Sequence, residues 1–216
     1  MKRLPIVLCA LFVLAACSAL DPGPPLAQLA LNPALPGAGP GPRLQAQLGV
    51  ALVETHTALN TARIVAINSR HIQYLPDVQW ASPAPRIMQL LLIRALGNTR
   101  RFAGIGGETN ISFSDYQVFS FLDSMAVITD RGQGMPEPPY VQISLGMQTV
   151  ARNGRVVDYT EVRAASAAMS MRIADLQDAF EDALGSLLKE ATDWVLKTVE
   201  KAEAAKQAAD GFKRTG

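Results

Sequence analysis

Cysteine is nearly missing from this chain: its 216 residues hold two, Cys9 and Cys17, both close to the start. No disulfide can therefore staple the body, and stability must come from apolar burial. Histidine is as scarce, with only His56 and His71. Zinc asks for three or four ligands, and Glu54 with His56, two apart on a strand, has no evident third partner. No metal site is expected. G-x-S-x-G and H-E-x-x-H are absent, and Asp115, Asp123 and Asp130 read as a solvated face along a strand-rich stretch. Catalytic residues and cofactors are thus not expected, and the chain reads as non-enzymatic. Excess charge is lacking too, with 20 Lys and Arg against 19 Asp and Glu. A nucleic-acid partner would require a basic footprint, so that class is excluded.

The start of the chain supplies what the rest lacks. Met1-Lys2-Arg3 is basic, and Pro5 to Ala16 is apolar. A bilayer-spanning helix needs roughly 20 apolar residues, so this run has the length of a signal h-region instead. It ends in Leu14-Ala15-Ala16-Cys17, which resembles the bacterial lipobox. That resemblance implies a signal peptide over residues 1–16, with Cys17 as an acylated mature N-terminus. An ordinary cleavage near Ala16, leaving a free thiol, is the alternative. Several acyl chains would hold the protein on a membrane almost permanently, whereas one chain binds only marginally. Ser18 and Ala19 follow the cysteine in place of Asp. By the proteobacterial sorting rule this implies the outer membrane, with the body facing the periplasm. Losing Lys2 and Arg3 leaves 18 basic side chains against 19 acidic ones.

Residues 17–43 read as an acylated N-terminus and a linker rich in Pro and Gly, with one short strand near residues 26–31. The domain proper is expected over 44–200. Leu44, Ala46, Leu48, Val50 and Leu52 share one parity, which predicts a half-buried strand, and Thr61 to Ile67 a second one. Ser82 as N-cap, Pro83 in the first turn and Gly97-Asn98 as an αL stop predict a helix over 83–96. Arg101 to Glu108 reads as a turn. Ile111 to Thr129 predicts a long central strand. Val141, Ile143, Leu145 and Met147 alternate cleanly, and Asn153-Gly154 predicts a two-residue type I′ hairpin returning through Val156 to Val162. From Met171, apolar residues at three- and four-residue steps predict a helix of about 30 residues. Residues 201–216 are expected to be a frayed charged tail.

Contact residues are harder to read. Tyr74 and Trp80 suit either an interface or the core, since both environments favour aromatics. Met135 heads a Gly- and Pro-rich loop that suits contact with a partner, and Asp115 and Tyr116 are counted with these three as candidate partner contacts.

Taken together, ARIVAI, IQYLPDVQWASPAP leading into a buried helix, SDYQVFSFLDSMAVI, a hairpin and a long last helix resemble the ABC-type transport auxiliary lipoproteins. The likeness spans roughly residues 26–200, and its most specific pieces are Tyr74, Trp80 with the following prolines, and Asp115-Tyr116. It implies an α/β fold: a mixed, largely antiparallel sheet packed as a sandwich against two main helices, with a long C-terminal helix. It also implies a non-catalytic component, anchored in the outer membrane, of a system that moves lipids or other hydrophobic molecules between the membranes. The implied partners are a mammalian-cell-entry-domain protein with its ABC permease and ATPase, and self-association is compatible with that role. A lipoprotein that assembles or plugs an outer-membrane β-barrel is the alternative.

Overall fold

The computed structural model describes residues 26–69, 71–107, 113–130 and 138–215. Everything is arranged around one strand, β7 (Tyr116–Asp130), whose apolar residues on both faces suit a position inside a sheet. Along one edge of β7 three shorter strands run parallel to it, end to end: β2 (Gln47–Val50), β3 (Glu54–Thr55) and β4 (Arg63–Asn68). On its other edge lies β8 (Tyr140–Ala151), antiparallel, followed by β9 (Val156–Ala167), also antiparallel. β5 (His71–Trp80) adds to β4, β1 (Ala27–Leu29) to β5, and β6 (Gly104–Gly106) to β2. The longest ladders are antiparallel and the parallel ones are short, so the sheet is mixed.

Register sets the two faces. Tyr116, Val118, Ser120 and Leu122 pair with Ala151, Thr149, Met147 and Leu145, and this face is buried under the helices. A bulge between Leu122 and Ser124 then shifts the alternation, so that Met125 and Val127 continue the same buried face. The helices are α1 (Ala84–Asn98) and α2 (Ile173–Thr215). Trp80 ends β5 in the core, 1% exposed, and meets Phe180 of α2 edge to face with ring centroids 4.8 Å apart.

Several local expectations need correction. Pro83, not Ser82, is the N-cap of α1, and no side chain caps it. Gly97 and Asn98 lie inside the helix; it stops instead at Thr99, whose hydroxyl donates to the Leu96 carbonyl, and at Arg100, where φ is 55°. Residues 104–106 form a strand within the stretch expected to be a turn, because β2 offers a free edge there. Asn153-Gly154 does make a hairpin, but only Gly154 has positive φ, 81°. Gly154 N donates to the Ala151 carbonyl and Ala151 N to the Arg155 carbonyl, a three-residue loop with Gly in the αL position. β5 had no strand signal because Pro76 and Asp77, at φ 59°, bulge out of its middle. Leu52 leaves its expected parity and is 40% exposed, while Ala51 and Val53 are buried.

Two larger corrections bear on function. α2 has 43 residues, about 65 Å at 1.5 Å per residue, and the residues expected to fray continue it to Thr215. The described part of the Pro/Gly-rich segment, residues 26–43, expected to be a linker, is a strap laid along α2. Gln177 Nε2 donates to the Ala30 carbonyl, and Asn32 N donates to Glu181 Oε1 at 3.0 Å. Further along, a Cβ added at Gly185 would stand 3.3 Å from the Ala34 carbonyl oxygen. Apolar burial of Pro33 and these polar ties repay the ordering of a proline-rich chain, whose unfolded entropy is already low.

Candidate interaction surfaces

The strap ends in a clasp built by Arg101. Its Nε donates to the Pro42 carbonyl at 2.8 Å, its Nη1 to the Pro40 carbonyl, and its Nη2 pairs with Glu200 of α2. The guanidinium is buried, so it satisfies its fork of donors within the protein. Gly41 passes so close that a Cβ there would stand 2.8 Å from Nη2, and its φ of 105° also favours glycine. Sequence reading missed this arginine as part of a turn. A cation just after a helix, with a Pro/Gly segment and an acidic helix face left to pair, was the available signal.

One turn further along α2, Glu203 receives the hydroxyl of Tyr116 at 2.8 Å. Burial first, then the hydrogen bond to this carboxylate and its negative charge, hold the Tyr116 phenol well above its ordinary value of 10.0. The neighbouring Asp115 locks β2 onto β7: its carboxylate accepts from Gln47 N at 2.9 Å, and its own N–H donates to the Gln47 carbonyl. Beyond this junction, α2 leaves the sheet and the β8–β9 hairpin stands beside it. Between them is a cleft of about 550 Å³, walled by Arg152 and Arg155 on the hairpin and by Ala202, Ala205 and Lys206 on the helix. Asp115 and Tyr116 form its floor.

The second surface is the face of the sheet turned away from the helices. Leu52, Phe119, Phe121 and Tyr159 surround Gly146, and a Cβ on that glycine would lie 3.5 Å from Tyr159 Oη. His56 packs edge to face on Phe121, its Nε2 3.5 Å from Asp123 Oδ1. Glu161 accepts from Arg163 Nε at 2.8 Å and from Ser144 Oγ at 2.9 Å, which keeps its carboxyl below the ordinary range. These exposed pairs tie the surface together without adding much stability.

The expected contact residues therefore divide. Trp80 is core, not an interface anchor, because the helix face of the sheet needs its area. Tyr116 is also buried, 5% exposed, and meets the cleft only from below. Tyr74 is half-buried: its hydroxyl donates to the Ala58 carbonyl at 3.3 Å, and Arg63 sits 4.3 Å above its ring. Asp115 is a structural lock in the floor of the cleft. Cys17 and Met135 lie outside the described residues. Among the described residues, no helix is long and apolar enough to cross a membrane, and no three His, Cys, Asp or Glu side chains group as a metal site would require.

The arrangement is a two-layer α/β domain whose helices cover one sheet face and leave the other open. No protein-family model matches the chain, and no curated protein does. Among solved structures it is similar to the Xanthomonas campestris protein XCC0632, described under the family label DUF330. The two are 21% identical over 84% of this chain and 99% of that one, with a TM-score of 0.72. It is also similar to an uncharacterised protein at 12% identity, over 79% of this chain and 99% of that one, with a TM-score of 0.58. At these identities the likeness is one of fold.

Proposed function

We propose that this chain is a non-catalytic lipoprotein subunit of an ABC/mammalian-cell-entry-type system that moves lipids or other hydrophobic molecules between the two membranes. In this reading Cys17 carries the acyl chains, the outer membrane holds them, and the body works in the periplasm.

The observation that carries the reading is the polarity of the molecule. β1 and the start of α2 lie at the end where the chain arrives from Cys17, because Ala30 is bonded to Gln177. The cleft beside Tyr116 lies at the opposite end, where α2 has passed Glu200 and Glu203. A body tethered at one end presents the other to a partner arriving across the periplasm. Small residues on α2 let a partner's backbone approach closely, and Arg152 and Arg155 fit acidic groups on it, while Lys206 lies 3.8 Å from Glu203 on the helix wall. The resemblance of the Tyr74, Trp80 and Asp115-Tyr116 stretches to the auxiliary lipoproteins supplies the choice of partner, and the fold is compatible with it.

The test is crosslinking in intact cells, then affinity purification from detergent and mass spectrometry. Recovery of a mammalian-cell-entry protein with a permease and an ATPase is expected. A β-barrel recovered without them would replace this reading with barrel assembly.

A further inference from the structure

The end of the molecule that faces the tether carries its own apolar patch. Met169 is 92% exposed, Met171 46% and Ile173 43%, and Leu26, just before β1, is 39% exposed. These residues are not a frayed end. Arg172 N donates to Ser170 Oγ at 3.1 Å, Ser170 Oγ donates to Asp175, and Leu176 N donates to the Arg172 carbonyl. The turn is thus fixed at the start of α2, and it holds two methionines and an isoleucine outward. Ile173 also borders a small gap lined by Leu29 and Leu75, which places the patch beside the strand where the described chain begins.

Apolar side chains held outward in a rigid turn call for an explanation by contact. Methionine is flexible and polarizable and adapts to irregular apolar surroundings. Arg172, exposed between Met171 and Ile173, is a cation for a phosphate group, its stem lying along the same surface. The tether decides what the surroundings are. Nine residue steps separate Cys17 from Leu26, and a fully extended chain covers at most about 3.6 Å per step, or roughly 32 Å. The patch cannot stray far from the bilayer that holds the acyl chains.

Resting on the proposed acylation of Cys17, we infer that Met169, Met171 and Ile173 enter the lipid interface, with Arg172 on the headgroup phosphates. The body then stands on the membrane by the start of α2. The cleft, whose helix wall begins at Ala202, is carried roughly 45 Å outward along α2 at 1.5 Å per residue. The shared origin of patch and tether makes this a second membrane signal, which gives the tether a fixed orientation as well as retention.

Site-directed spin labelling of the mature protein tests this. Acylation occupies Cys17 and processing removes Cys9, so Met171→Cys and Asn153→Cys each provide a single free thiol. Both positions are exposed, and neither belongs to the core. The labelled proteins are reconstituted in vesicles of phosphatidylethanolamine with phosphatidylglycerol, and intact mass reports the acyl chains. Expected is a label at 171 that collides with oxygen several-fold more often than with a water-soluble nickel chelate, with the reverse at 153. An acylated, vesicle-bound protein whose 171 label is as open to the chelate as its 153 label would overturn the inference and leave the tether standing. Lipid exposure at both positions would overturn the upright orientation. A protein with no acyl chain on Cys17 would overturn both the tether and the inference.

Discussion

Tyr116 and Glu203 join the first residue of the central strand to the point where α2 leaves the sheet, through a hydrogen bond of 2.8 Å. Strand and helix are thereby locked at the floor of the cleft, 87 residues apart in sequence.

This pair should be visible in the pH dependence of stability. The Tyr116 phenol is raised in the folded chain and returns to 10.0 on unfolding, so its stabilising effect is whole below pH 10 and is lost as pH rises towards the folded value. Urea unfolding should show the wild type falling relative to Tyr116→Phe above pH 10, by at most about 1.4 kcal/mol per pH unit. At pH 7 the variant should be about 1 kcal/mol less stable. A constant difference from pH 8 to pH 11 would mean that the phenol is not held neutral.

Trp80 and Phe180 anchor β5 to α2. Trp80→Ala should cost about 3–5 kcal/mol by leaving a cavity. For a domain of this size, each 1 kcal/mol lowers Tm by roughly 2–4 °C, and calorimetry reads the sum. A surface role for Trp80 predicts almost no change in Tm.

The clasp should respond to small changes. Gly41→Ala forces a Cβ onto the Arg101 guanidinium at positive φ, and a cost of about 1–2 kcal/mol is expected. Arg101→Met leaves the Pro40 and Pro42 carbonyls without their donor, and the loss should be about 2 kcal/mol. In both variants hydrogen exchange over residues 30–42 should accelerate more than exchange in β7. Equal acceleration everywhere would indicate global destabilisation and no strap.

Cys17→Ala should remove acyl labelling and membrane retention while leaving Tm unchanged, because no described tie of the body depends on Cys17. Normal labelling of that variant would refute the assignment.

Much of the sheet was legible in the sequence because alternation at period two survives wherever one face meets the helices, as in β8 and β9. β5 was not, since a bulge at Pro76-Asp77 breaks its period. The type of the 151–155 turn escaped because Asn153 keeps negative φ, and its Oδ1 instead accepts from Arg155 N at 3.1 Å. Composition misled at the strap: prolines and glycines that read as a linker are held by side chains 59 to 149 residues away. The contact residues were the least legible. Trp80 and Tyr116 carry the aromatic signature of an interface, but the core uses the same chemistry, and only the fold distinguishes the two uses.

The most direct test of the account places a photo-crosslinking residue at Arg155, on the cleft wall, and another at Met171, at the tether end, in cells carrying the intact system. The account predicts a protein adduct containing the mammalian-cell-entry partner from position 155, and none with that partner from position 171. An adduct with that partner from 171 and none from 155 would contradict the proposed polarity of the molecule.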